Sequence, residues 1–119
     1  MKCFAWCAAV VMATASTVHA TSAFDGSWMG EAPFREGCGV WTFHFTIRDG
    51  TLGGTVTGLL DGKQASGTVQ YAQLQPDGNA DIIWGFYHRF RGNFRFSGNN
   101  LTGNFIGPCG ELPVVGHKT

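Results

Sequence analysis

From Gly39 to Gly54 the chain reads GVWTFHFTIRDGTLGG, with its bulky residues on every second position. Trp41, Phe43, Phe45 and Ile47 share one side of an extended chain, while Val40, Thr42, His44, Thr46 and Arg48 share the other. Alternation this strict fits a strand with one dry and one wet face, because successive strand residues point to opposite sides of a sheet. The rhythm returns twice. DIIWGFYH sets Ile82, Trp84 and Phe86 against Asp81, Ile83, Gly85 and Tyr87, and RFRGNFRF sets Phe90, Gly92, Phe94 and Phe96 against Arg89, Arg91, Asn93 and Arg95. TLGGTVTG and ASGTVQY are compatible with strands of smaller residues, and LTGNFIG groups Leu101, Gly103 and Phe105. The chain after its first twenty residues shows no sustained helical period.

Turn signals separate these runs: RDGT at Arg48–Thr51, LDGK at Leu60–Lys63, PDGN at Pro76–Asn79 and SGNN at Ser97–Asn100. Asp-Gly and Asn-rich turns supply the positive backbone angles of tight hairpins, so successive strands are expected to be antiparallel neighbours. Strands are predicted at 24–31, 39–48, 51–58, 65–73, 79–88, 89–96, 101–107 and 109–117. The His88–Arg89 junction, which lacks a turn signal, reads either as a bend in one long strand or as a tight corner. An open meander leaves two exposed edges, and pairing the first strand with the last removes them. The expected fold is all-β: a small antiparallel up-and-down barrel of seven or eight strands.

The first twenty residues stand apart. Lys2 gives a short positive start, Cys3–Ala13 is an apolar run too short to span a bilayer, and VHA ending at Ala20 fits a signal-peptidase site. Residues 1–20 read as a signal peptide, with cleavage after Ala23 as the second choice, and 21–119 as a single barrel domain. Cys7 lacks the small-residue context of a lipidated cysteine. The exported part would be secreted or periplasmic, with no membrane span after signal removal. Charge is balanced, eight Lys or Arg against eight Asp or Glu over the whole chain, so no global field draws the protein to nucleic acid or to anionic membranes.

Removal of the leader leaves Cys38 and Cys109 as a pair, which in an oxidising compartment reads as a disulfide. It would close a loop of about 70 residues, remove roughly 4 kcal/mol of unfolded-chain entropy and fasten the second strand to the last. A two-cysteine metal site lacks further ligands at suitable spacing.

FDGSW at the mature start, a cysteine shortly after it, FTIRDGTLGG, ASGTV followed by QPDGNA, and FSGNNLTGNFIGPCGEL near the end resemble a group of small exported bacterial proteins. That group opens on Gly-Ser-Trp or Gly-Thr-Trp and closes on a late Leu-x-Gly-x-aromatic segment ending in cysteine. Gly26–Trp28 also resembles the first-strand signature of calycin-type barrels, the avidin, lipocalin and bacterial protease-inhibitor architecture. The resemblance implies a barrel; it implies no activity and carries no catalytic residue. The chain is shorter than a lipocalin and shows no set of polar side chains matching an avidin-like site.

Trp28, Trp41, Phe43, Phe45, Trp84, Phe86, Phe90, Phe94, Phe96 and Phe105 all fall on the expected inner face. They read chiefly as the filling of the lumen, with an apolar pocket as the alternative and Trp28 and Trp84 as the residues that would line its mouth. On the outer face Arg89, Arg91 and Arg95, joined by Arg48 from another strand, either form a solvated strand face or converge on a carboxylate, phosphate or acidic glycan. His44 is expected to face outward, His88 to sit at a corner and His117 near a frayed end. With no His-x-His or acid–His pairing on one face, the spacing points to no metal ligand set, no catalytic dyad and no cofactor. Ser66 and Ser97 lack an adjacent base. NLT at Asn100–Thr102 fits a glycosylation acceptor and reads as a turn and strand start.

These features favour a non-enzymatic exported barrel that binds a small molecule, a glycan or another protein, or that associates with the envelope. Two alternatives stand beside it. One is a small calycin-type protease inhibitor, with Glu31–Gly37 (EAPFREG) or the chain start reaching into an enzyme. The other is a hydrolase or isomerase at the barrel mouth, which would need His44 or His88 in a cavity beside a carboxylate.

Overall fold

A computed structural model describes residues 23–60, 62–85, 90–107 and 109–119. The expected leader and its cleavage site after Ala20 lie outside the described residues. So do Phe86, His88 and Arg89.

Eight strands run in chain order: β1 (Gly26–Arg35), β2 (Gly39–Arg48), β3 (Thr51–Leu60), β4 (Lys63–Leu74), β5 (Asn79–Gly85), β6 (Phe90–Ser97), β7 (Asn100–Gly107) and β8 (Gly110–Lys118). Each pairs antiparallel with the next, and β1 pairs with β8 to close an eight-stranded barrel. β5 and β6 are separate antiparallel neighbours with Trp84 opposite Phe90, so the chain reverses between them. The Asp-Gly turns behave as their chemistry requires. Asp49 and Gly50 both adopt positive φ, 53° and 78°, the combination that lets a two-residue loop follow the twist of β2 and β3.

The alternation of β2 is realised residue for residue. Trp41, Phe43, Phe45 and Ile47 are buried, and Val40, His44, Thr46 and Arg48 are exposed. β6 repeats the pattern with Phe90, Phe94 and Phe96 inside and Arg91, Asn93 and Arg95 outside. Lipid-facing barrels invert this code, with an apolar band outside and a polar lumen. Here the outer wall carries charged, amide and hydroxyl groups. Among the described residues no helix is long and apolar enough to cross a membrane.

Two irregularities depart from simple alternation. Gln70 is an extra residue in β4 between the Val69–Trp84 and Tyr71–Ile83 pairs, and this bulge turns both Gln70 and Tyr71 outward. β1 runs on to Arg35, beyond the strand end predicted at residue 31 and into the EAPFREG segment Glu31–Gly37, with a register shift between Ala32 and Arg35. Its pairing to β2 carries the extended chain past Pro33 and Phe34, leaving only a short turn before Gly39.

Closure is unequal along the seam. β1 and β8 pair from Trp28–Lys118 to Glu31–Val115, and past that point β1 continues beside β2 alone while β8 continues beside β7. Near the tight part of the seam Gly116 faces Gly30, and a side chain on Gly116 would run into the Met29 carbonyl at 1.9 Å. Beyond the paired part, the Cys38–Cys109 disulfide joins the β1–β2 and β7–β8 hairpins, with Cα atoms 6.2 Å apart across a sequence separation of 71. The Arg35 guanidinium adds a 3.3 Å hydrogen bond to the Cys109 carbonyl.

Candidate functional site

The lumen is the first place to look for a site in a barrel of this size, and aromatic rings occupy it from end to end. At its middle Phe43 lies 5.7 Å from Trp84, 5.6 Å from Phe94 and 5.1 Å from Phe105, centroid to centroid. Toward the disulfide end Trp41 follows, 5.3 Å from Phe105 and 6.1 Å from Phe90. Toward the termini Phe45 meets Phe96, and Phe96 and Trp28 form a T-shaped pair with ring centroids 4.9 Å apart. These tilted and edge-on contacts are the spacings at which ring quadrupoles attract, each worth about 0.5–1.5 kcal/mol beyond area burial. Trp28 stops the end of the lumen near the termini: its indole N–H donates to the Phe24 carbonyl at 2.9 Å, and the Lys118 ammonium stands 5.6 Å from its ring centre. Trp84 lies in the middle of the stack, fully buried. Its indole N–H has no acceptor within hydrogen-bond reach among the described residues.

Both tryptophans expected at a pocket mouth are thus part of the packing, and the open hollows lie on the outer wall. One, of about 300 Å³, is lined by Tyr71, Asp81, Ile83, Arg91, Asn93 and Ile106, the outward residues of β4 to β7. Register explains the gathering. Tyr71 pairs with Ile83, Ile83 with Arg91 and Arg91 with Ile106, while one row over Asp81 pairs with Asn93. The Asn93 amide donates to the Asp81 carboxylate, and the Tyr71 hydroxyl donates to Gln73 at 3.1 Å. The hollow therefore offers a carboxylate, an amide, a guanidinium and a half-exposed phenol ring beside two isoleucines.

Arg95, two residues further along β6, lines a different hollow of about 430 Å³ with Asn79, Thr102 and Pro113. It extends toward the Asn79 side-chain carbonyl at 3.5 Å. Arg91 and Arg95 share the outer face with Asn93 between them, and each serves its own hollow. Arg48 ends β2, across the barrel from β6. Arg89 lies outside the described residues.

His44 stands exposed on β2 and His117 exposed on β8, each directly opposite Met29 of β1 from its own side. His117 is a paired strand residue, not the frayed end expected of it. Two strand spacings, about 10 Å, separate the imidazole-bearing positions. Among the described residues no group of three His, Cys, Asp or Glu is placed to hold a metal ion. Asn100 opens β7 as its turn-and-start reading requires.

Sequence reasoning missed Tyr71 and Asp81 as members of one surface. The β4 bulge that turns Tyr71 outward has no signature beyond an unremarkable Val-Gln-Tyr. Compared with known protein families, with curated proteins and with solved structures, the chain matches none of them.

Proposed function

We propose that the protein is an exported, non-enzymatic barrel that binds a polar, sugar-like ligand on its outer wall, in the hollow between β4 and β7. One observation carries the reading. The lumen is packed with rings, whereas the outer hollow sets Asp81, Asn93 and Arg91 beside the exposed ring of Tyr71. A sugar presents vicinal hydroxyls and a face of C–H groups. A carboxylate accepts from the hydroxyls, amide and guanidinium groups donate to them, and an aromatic ring receives the C–H face. Arg91 favours a ligand bearing a carboxylate or phosphate, since a guanidinium makes forked hydrogen bonds to either. Export is supported by the leader-like first twenty residues and by the bridged cysteine pair, a pairing that persists in oxidising compartments.

The test is an NMR titration of the ¹⁵N-labelled protein with a neutral and a uronic-acid-bearing oligosaccharide. Saturable shifts at Asp81, Arg91 and Asn93 are expected, stronger for the acidic sugar and lost in Tyr71→Ala and Arg91→Ala. Oligosaccharides of both kinds leaving these amides unmoved would overturn the reading.

A further inference from the structure

One row of outward side chains crosses the paired part of the seam. Met29 of β1 stands directly opposite His44 of β2 on one side and His117 of β8 on the other, and all three are exposed on the outer face. The order across the strands is imidazole, thioether, imidazole. Residues directly opposite one another in an antiparallel pair bring their side chains within reach, with Cβ atoms about 4.5–5.5 Å apart. Because three strands supply the three donors, no spacing along the chain announces them. His117 joins the row only because β8 pairs back on β1.

The base of the row is a closely packed backbone. One position along, Gly30 pairs with Gly116, and a side chain on Gly116 would strike the Met29 carbonyl, so the two strands lie close together where the donors stand. The imidazole-bearing positions are about 10 Å apart, which puts a metal midway about 5 Å from each. A metal–imidazole bond takes up about 2 Å of that distance. The gap left is shorter than the reach of a histidine side chain, and the spare length lifts the metal off the sheet toward the Met29 sulfur. Both rings are exposed, so packing does not hold them against this movement. Beside the row a hollow of about 370 Å³ is lined by Met29, Glu31, Thr42, Val115 and His117, and the Glu31 carboxylate gives it negative charge.

We infer that His44, Met29 and His117 bind a soft monovalent metal ion, cuprous copper, through two imidazole nitrogens and one thioether sulfur. The donor chemistry selects the ion. A thioether favours Cu(I) and imidazole suits copper, whereas zinc takes its ligands from cysteine, histidine and carboxylate. Among the described residues no three His, Cys, Asp or Glu are placed to hold a metal ion, so the third donor beside the two imidazoles is sulfur. Cys38 and Cys109 are joined in the disulfide, which leaves Met29 as the soft donor among the described residues. The site lies on β8, β1 and β2, apart from the β4–β7 hollow, and stands independently of the sugar-binding reading.

The test adds cuprous ion anaerobically, in acetonitrile-containing buffer, to the full chain carrying Cys3→Ser and Cys7→Ser, so that no free thiol competes. NMR follows the methionine methyls and the histidine ring C–H groups. One equivalent is expected to shift the signals of Met29, His44 and His117 together and to saturate them, with the Met1 and Met12 methyls unmoved. Met29→Leu, His44→Gln and His117→Gln are each expected to weaken binding at least about tenfold, read by competition with a chromophoric Cu(I) chelator. Each replaces an exposed side chain, and an unchanged unfolding midpoint verifies that the fold is kept. Zinc(II) is expected to leave the Met29 methyl in place. A Met29 methyl unmoved by cuprous ion, affinity undiminished in Met29→Leu, or an equal Met29 response to zinc would overturn the inference.

Discussion

The carboxylate of Asp25, just ahead of β1, accepts a hydrogen bond from the backbone N–H of Gly50 at 3.1 Å, and its second oxygen accepts from Asp49 at 2.8 Å. The residue before the Gly-Ser-Trp opening therefore caps the β2–β3 turn and pins the chain entry to the barrel. Asp25→Ala is expected to destabilise the fold by about 1–2 kcal/mol, as two hydrogen bonds to a partly exposed carboxylate are lost. Asp25→Asn, which keeps one acceptor oxygen, should fall between. Urea unfolding midpoints of the three proteins provide the check.

Gly58 lies beneath the Trp41 indole: a Cβ added there would stand 2.1 Å from a ring carbon of a fully buried side chain. Gly58→Ala is expected to cost on the order of 1–3 kcal/mol through overpacking. Gly53→Ala on the same strand meets nothing within 4 Å and should be close to neutral. Comparing the two unfolding midpoints separates the clash from the general effect of replacing a strand glycine.

Phe43 touches Phe45, Trp84, Phe94 and Phe105 at the centre of the lumen. Phe43→Ala should lose about 3–5 kcal/mol through transfer and cavity terms. Phe34→Ala, on the exposed corner, should change stability by less than about 0.5 kcal/mol. Equal effects of the two substitutions would contradict the inside–outside assignment.

Which side each residue faces was legible because period-two alternation needs only local sequence: the rows of β2 and β6 place their rings inside as read. The strand count was legible only as seven or eight: the Asp-Gly and Asn turns mark four reversals, whereas the separation of β5 from β6 has no turn signal in the sequence. What was not legible depends on closure. That β1 and β8 pair only from Trp28 to Glu31 is set by the register between chain ends, and no local motif encodes it. The outward turn of Tyr71 comes from a one-residue bulge, and the split of Arg91 and Arg95 between two hollows comes from their neighbours on β5 and β7. Sequence spacing placed Arg91 and Arg95 on the outer face of β6, but was silent about what stands beside them.

The Cys38–Cys109 bridge holds the part of the seam that β1–β8 hydrogen bonds leave open. Reduction is expected to lower stability by up to about 4 kcal/mol in the chain-entropy model. The loosening should be greatest at the disulfide end. Hydrogen exchange on the reduced and oxidised proteins should show lost protection first around Arg35 and Gly110, with the Trp28–Lys118 end of the seam retained.

A lumen filled by its own side chains leaves the outer wall as the place for the proposed ligand. The most direct measurement is methyl NMR of the protein under xenon pressure, since xenon enters dry apolar voids. The methyl groups of Val56, Ile82, Leu101 and Val114, all buried in the lumen, should keep their chemical shifts as pressure rises. Saturable shifts confined to those methyls would reveal an open interior and contradict the assignment of binding to the outer wall.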